Sequence, residues 1–379
     1  MKEPFVPVFT DENALFSTQY ASALQGIKSA ASRCGQHVQL FSARQLRQTD
    51  LSAVPDVMIL VSISMPLIEE VLAFMRESRR TVVLCGIDCE QFGPDVSCAT
   101  PSRRAETQQL VNYLYHCGRE SIALVGFGLN SINDNFRYHA AMSAVAAWGR
   151  LLGEKDVWLW QHDPHECFAD FLTVCRRYDA VICPNDVIAI CLLNECRKNG
   201  IRIPEDLYLA SFGNMSLGLY SQPSITSVSM DMPCVGEQTY QVWRFLMASG
   251  RTERTSLKIT VPSRILVRES TEMHPSDAGI RPASGTLSAD RFYNNPVISA
   301  LVGLDYCLSQ RDELDMRIIR SLLDHESYEK IEEKYYISSS TLRYRLHKIF
   351  SDSGVASRKE FEKLIHTHLG EGNPFSFVH

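Results

Sequence analysis

Between Ile337 and Ile349 the chain reads ISSSTLRYRLHKI, setting hydroxyls, two arginines, a tyrosine, a histidine and a lysine around three regularly spaced apolar residues. Side chains of these types donate to phosphates and to base edges. Leu342, Leu346 and Ile349 fall at i, i+4 and i+7, which gathers them on one stripe of a helix. Ser340, Tyr344, His347 and Lys348 then point away from that stripe, with Arg343 beside them. Arg345 lies nearer the buried edge, where a phosphate or a neighbouring helix would meet it.

The flanking residues supply elements that would hold such a helix. Ser338–Ser340 offers an N-cap, so the helix can start abruptly after a tight turn. Upstream, Ser327 can cap a shorter helix with Ile331 and Tyr335 facing inward and Glu329 in its first turn. Gly354 can end the outward-facing helix, and Ser357-x-x-Glu360 opens another in capping-box form. Leu314, Ile318, Ile319 and Leu322 mark one more amphipathic helix before them. A short helix packed across a second one, whose polar face is free, is the docking geometry of a helix-turn-helix. From Arg343 to Lys363 there are six Lys/Arg against three Asp/Glu, a basic segment in a chain of formal charge −6.

From near Asp312 to Leu369 the chain resembles the LuxR-type helix-turn-helix. The run Ile337–Leu342, Ile349 and the Gly-Val-x-Ser-Arg sequence Gly354–Arg358 carry the resemblance. The piece Thr341–Leu346 is also similar to the reader of PucR-type regulators. The resemblance implies that Thr341, Arg343, Tyr344, His347 and Lys348 contact DNA, with Ser340 on the same exposed face. Tyr335 and Tyr336 stand where the family usually has a basic residue.

At 379 residues the chain has room for two or three domains, and 45% hydrophobic with 22% charged residues is ordinary for a globular protein. Its twelve cysteines are scattered with no Cys-x-x-Cys pair, which argues against a zinc module. Cys85, Cys89, Cys183, Cys191 and Cys196 sit in apolar patterns and read as small hydrophobes. No signal-peptide pattern or membrane-length apolar run is present, so a cytoplasmic protein with reduced thiols is expected. His162-Asp-Pro-His165-Glu-Cys167 fits no metal-ligand set, and no catalytic residue, metal or cofactor is expected.

The first 270 residues alternate strand and helix patterns. Strands are expected at Phe5–Phe9, Val38–Phe41, Val57–Val61, Thr81–Cys85, Ile122–Gly126, Val157–Trp160, Ala180–Cys183 and Leu207–Phe212, with helices between them. Fully apolar strands in such alternation predict parallel sheets covered on both faces, and two series of them predict two lobes. The expected fold class is therefore α/β, two doubly wound parallel sheets, followed by a C-terminal all-α helix-turn-helix domain.

The stretch Asp179–Asn214, with Glu120–Gly126, Pro223–Val228 and a closing strand at Ile265–Ser270, resembles the effector domain of the lactose- and galactose-repressor family. That family shares its fold with sugar-binding periplasmic proteins, and the similarity covers roughly residues 4–270. Its members normally carry their DNA reader at the N-terminus, whereas here it is expected at the other end. Ligands of open α/β folds collect at the carboxyl ends of strands. The resemblance places Asn13, Phe16, Arg137, Phe168 or Phe171, Asn185 and Asn214 around such a cleft. Three polar positions of the family are changed, one of them at a crossover, where Met230 stands before Asp231. Gly213 replaces the sugar-binding aspartate, and Gly86-Ile87 replaces an Asp-Arg pair.

The expected organisation is an effector-binding body over 1–270, a linker over 271–296 and the reader over 297–379. One lobe is expected from about 1–100 and 230–260, the other from about 101–229 and 261–270. The linker reading rests on the prolines, glycines and serines of Thr271–Pro296, and a helix is expected to begin at Gly303. The implied function is a ligand-responsive transcriptional regulator that senses a sugar or sugar derivative and controls carbohydrate-related genes. Its implied partners are an operator duplex, a small-molecule effector and a second copy of the chain. The alternative is a two-lobed interaction protein without an effector, or one whose last helices serve protein contacts.

Overall fold

A computed structural model describes residues 5–50, 52, 54–128, 131–160, 163–249, 256–272, 295–370 and 372–375. The first sheet collects β1 (Phe5–Thr10), β2 (His37–Ser42), β3 (Val57–Val61), β4 (Thr81–Cys85), β5 (Ser97–Pro101) and β11 (Lys258–Val261). Their order is β11-β5-β4-β3-β1-β2, with every pair parallel. The second sheet holds β6 (Ile122–Gly128), β7 (Val157–Trp160), β8 (Ala180–Ile182), β9 (Tyr208–Phe212), β10 (Thr226–Met230) and β12 (Ser263–Leu266). Here the order is β12-β10-β9-β8-β6-β7, and only β12 runs antiparallel to its neighbour.

Helices α1 (Glu12–Phe16), α2 (Thr18–Arg33) and α3 (Met65–Glu77) belong to the first lobe. Helices α4 (Arg103–His116), α5 (Ile132–Ala147), α6 (Pro164–Leu172), α7 (Asp186–Lys198) and α8 (Ser216–Tyr220) follow in the second, and α9 (Met232–Ser249) returns to pack on α2. The α2–α9 contact is unusually close because glycine allows it. A Cβ on Gly236 would lie 1.8 Å from the Ala23 carbonyl oxygen, and one on Gly26 would lie 2.0 Å from that of Pro233. The chain passes between lobes three times, at Pro101–Arg103, Met230–Met232 and Val261–Ser263.

Three strands escaped the sequence reading, one of them Thr226–Met230, which enters there only as part of the family-like stretch Pro223–Val228. Ser97–Pro101 is buried throughout but contains little of the β-branched and aromatic residue content that marks a strand. Lys258–Val261 is an edge strand with an exposed face. The closing strand expected at Ile265–Ser270 is shorter, Ser263–Leu266, and a single helical turn at Glu269–Thr271 follows it.

The C-terminal region is α10 (Pro296–Ser309), α11 (Glu313–Leu323), α12 (Tyr328–Tyr335), α13 (Ser339–Asp352) and α14 (Arg358–Leu369). The helix expected from Gly303 begins seven residues earlier, at Pro296, because Asn295 caps it by accepting from the amides of Val297 and Ile298 at 2.9 and 3.2 Å. Most of the expected linker, residues 273–294, lies outside the described residues. Ile298, Leu301, Leu304, Ile365 and Phe375 share one continuous apolar core with Val187, Leu193 and Leu217 of the second lobe. Burying that surface gives the helical region a defined seat on the body.

Candidate ligand cleft and nucleic-acid interface

The three crossovers converge on a buried charge cluster. Arg103 opens α4 at the first crossover, Met230 ends β10 at the second and Ser263 begins β12 at the third. Arg103 donates to the Gly86 carbonyl at the end of β4 (3.1 Å), to Asn133 Oδ1 (3.1 Å) and towards Met230 Sδ (2.6 Å). Glu106, 1% exposed, accepts from Arg103 (3.4 Å), from Arg137 (3.2 and 3.3 Å) and from Ser263 Oγ (3.1 Å). Two buried guanidiniums thus share one carboxylate, and the Asp134 carboxylate adds to the compensation of Arg137. Burial lowers the pKa of Arg137, partly offset by Glu106, and raises that of Asp134, whose carboxylate accepts from the Gly128 amide at 3.0 Å.

The predicted ligand residues scatter over this region. Arg137 is at the centre, buried, donating to the Pro184 carbonyl at 2.8 Å and lying over the Phe212 ring at 4.3 Å. Its donors face protein acceptors at the hinge. Asn185 is the N-cap of α7, its side-chain oxygen accepting from the Ile188 amide at 3.0 Å. Asn214 adopts a left-handed backbone (φ 51°), reaches Ser229 Oγ at 3.3 Å and accepts from Arg268. Phe16 ends α1 with 64% of its surface exposed, and Asn13 lies in the same helix. Phe171 corrects the expectation. It is fully buried and packs edge-on to Trp158 at 5.0 Å, a core position on α6 with no surface to offer a ligand. Phe168, its alternative, is equally buried.

Sequence reasoning missed the residues that tie the lobes together. Arg103 and Glu106 carried no signal beyond a helix start. Gln19 Nε2 donates across the cleft to the Gly213 carbonyl at 2.8 Å. Asp305 of α10 accepts from Thr18 Oγ1 in the first lobe at 2.9 Å and from the Leu217 amide in the second at 3.3 Å. It is 1% exposed, and burial raises its pKa to about 6, opposed by those two hydrogen bonds and reinforced by the charge of Asp186. Asp186, also buried and also raised, accepts from Ser211 and from the Met215 amide. α10 therefore touches α1 and α2 on one side of the cleft and α7 and α8 on the other.

At the far end, α12 and α13 are joined by three residues, Tyr336–Ser338. Tyr336 takes the left-handed conformation (φ 54°, ψ 45°) that turns the chain, and Ser338 caps α13 by accepting from the Thr341 amide at 3.2 Å. Leu342, Leu346 and Ile349 are buried as the spacing predicted. Ser340, Thr341, Arg343, Tyr344, His347 and Lys348 are all exposed on the opposite face. Tyr344 shows 71% of its surface and Tyr336, beside it in the turn, 97%. Two cations counted in the basic segment are used internally. Arg345 pairs with Asp312 at 2.8 Å and Asp315 at 2.7 Å, so it braces α13 on α11. Arg358 closes on Glu362 at 2.7 Å and on the carbonyls of Leu322 and Glu326. Arg343 and Lys348 make no ion pair among the described residues, which leaves their charge for an external anion.

These features define a two-lobed, periplasmic-binding-protein-like body with a docked helical unit. Residues 111–271 match the family described as a periplasmic binding protein-like domain. Among curated proteins the chain is 24% identical over 121 residues to the HTH-type transcriptional repressor PurR of Vibrio campbellii, covering 29% of this chain and 36% of that one. It is 22% identical over 196 residues to the PurR of Erwinia tasmaniensis, covering 50% and 57%. The matches thus span from about a third to just over half the length of these two relatives. Among solved structures, a transcriptional regulator CelR–cellobiose complex superposes with a TM-score of 0.61 at 19% identity, over 71% of this chain and 85% of that one. A LacI-type regulator from Bacillus cereus subsp. cytotoxis gives 0.62 at 16% identity, over 72% and 100%. At such identities the likeness establishes the fold. No helix among the described residues is long and apolar enough to cross a membrane.

Proposed function

We propose that this protein is a ligand-responsive DNA-binding transcriptional regulator of lactose-repressor type whose reader, LuxR-like, lies at the C-terminal end. The observation that carries the reading is the face of α13. Its hydroxyls, Arg343, Tyr344, His347 and Lys348 are exposed together on a helix held by α12 and α11. In a major groove those side chains would meet phosphates and base edges. The cleft between the lobes would take the effector. A sugar or sugar derivative fits the likeness to a regulator solved with cellobiose, and control of carbohydrate-related genes follows from that choice. α10 supplies the coupling. Because Asp305 holds both lobes, any change in their closure alters the seat of the helical unit, and a ligand preferring one closure shifts the reader. A homodimer addressing two half-sites completes the arrangement, since one reader alone gives little specificity.

The deciding experiment is a gel shift with DNA from upstream of the protein's own gene, comparing wild type with Arg343→Ala plus Lys348→Ala. Wild type retards the duplex, while the variant loses affinity and its salt slope falls by about two. Equal retardation by both, or by neither, removes α13 as the reader. Thermal-shift screening against sugars, sugar phosphates and glycosides tests the cleft. A hit unchanged by Arg137→Ala takes Arg137 out of the site.

A further inference from the structure

Outside the cleft and the reader, one group of side chains has the chemistry of a reactive site. Cys89, just past β4, and Cys98, on β5, place their sulfur atoms 3.2 Å apart, with Cys98 donating to Cys89. An Asp88 carboxylate oxygen lies within 4.8 Å of both sulfurs. Lys258 of β11 closes the group, its ammonium 2.6 Å from Asp88 and 2.6 Å from Glu90. The hydrogen bond from Cys98 holds the pKa of Cys89 below its ordinary value against burial and the charge of Asp88, with Lys258 acting alongside the hydrogen bond. Cys98 is pushed the other way, which casts Cys89 as the attacking sulfur and Cys98 as the resolving one.

We propose that Cys89 and Cys98 form an oxidisable dithiol that closes to a disulfide when a peroxide reaches the protein. The Cys89 thiolate attacks one peroxide oxygen, the O–O bond breaks, and the leaving hydroxide takes up a proton to become water. Cys89 is then a sulfenic acid. Cys98 attacks that sulfur, its proton goes to the departing hydroxyl, and a second water leaves. Two thiols and one hydrogen peroxide thus give one disulfide and two waters. The sulfurs must close by little more than 1 Å to reach the bonded separation of about 2.05 Å.

The position gives the bond a consequence. Gly86, three residues before Cys89, accepts from the hinge residue Arg103, and β5, which carries Cys98, runs directly into the crossover at Pro101–Arg103. Joining the two sulfurs staples the segment that holds Arg103 to the strand that feeds it. A metal ion is the rival occupant. It is disfavoured because, among the described residues, three donors converge and the carboxylate already holds an ammonium, whereas a closed zinc site uses four ligands. Other buried thiols such as Cys85, Cys167 and Cys191 are pushed up to about 12 by burial and, among the described residues, have no such sulfur partner.

The test uses the full chain carrying Cys34→Ser, because Cys34 is exposed and would itself react. The protein is treated with hydrogen peroxide, alkylated and cleaved after Glu90, which separates Cys89 from Cys98. The two fragments are expected to stay joined until a reductant is added. Cys89 should be consumed at least about tenfold faster than Cys191. In Cys98→Ser the reaction should stop at a sulfenic acid on Cys89 that dimedone captures. Fragments that part without reductant overturn the proposal. So does a linkage that persists in Cys89→Ser, since Cys85 would then be the partner. Stoichiometric binding of Zn2+ to the reduced protein with protection from peroxide would also overturn it, in favour of a metal site.

Discussion

Replacing Asp305 with asparagine probes the contact through which the proposed reader is seated on both lobes. The carboxylate is 1% exposed, and its pKa rises from the ordinary 3.8 to about 6 despite hydrogen bonds from Thr18 and the Leu217 amide. A carboxyl whose pKa is higher folded than unfolded binds its proton more tightly in the folded protein. Its contribution is therefore fully present below pH 3.8 and is lost as pH rises towards 6. A shift of about two units corresponds to roughly 3 kcal/mol, an order-of-magnitude figure for the cost of carrying the ionised group at neutral pH. Asparagine keeps the acceptor oxygen and removes the charge. Urea unfolding of wild type and Asp305→Asn, followed from pH 4 to pH 7.5, should give variants of similar stability at the acid end. The asparagine protein should pull ahead through pH 6, by up to about 3 kcal/mol. Asp134 and Asp186 are also raised by burial and tilt both profiles, but they largely cancel in the difference. Parallel profiles across that range would refute the reasoning, because Asp305 would then titrate as a solvated carboxylate and α10 would not be closed upon it.

Glu106→Gln leaves Arg103 and Arg137 buried with reduced compensation, and should cost about 3–5 kcal/mol of stability, read from the urea midpoint. A loss below about 0.5 kcal/mol would mean that water already solvates the hinge cluster. Gly236→Ala forces α9 away from the Ala23 carbonyl, which the added Cβ would otherwise approach to 1.8 Å, so the melting temperature should drop. The cost is expected at about 1–3 kcal/mol, and an unchanged melting curve would show that the two helices are not so tightly apposed. In the reader, Arg345→Ala breaks the pairs with Asp312 and Asp315 and should loosen α13 from α11, seen as faster amide exchange in α13. Exchange identical to wild type would show that the apolar stripe alone holds α13.

The residue pattern alone specified much of this protein. Apolar runs such as Val57–Val61 and Ile122–Gly126 are buried on every residue, and a strand covered on both faces needs no partner to announce itself. The stripe Leu342, Leu346 and Ile349, with its serine cap, set both the start of α13 and which face stays wet. Periodicity is a local property, so it survives being read one residue at a time. Partnership is not local. By sequence Arg345 lies at the buried edge, open to a phosphate or a neighbouring helix, and Arg358 counts as one charge of a basic segment; folding decided that they meet Asp312, Asp315 and Glu362. Arg137, read as a ligand contact, also pairs with Glu106 at the hinge, and Phe171, read likewise, is enclosed by aromatic neighbours. Thr18 and Asp305 are 287 positions apart and hydrogen-bonded, and no pattern along the chain encodes that pairing. What the order of residues determined was which surfaces must be buried; which charges meet inside them was decided only when two lobes and a helical unit packed together, because an ion pair depends on distance in space.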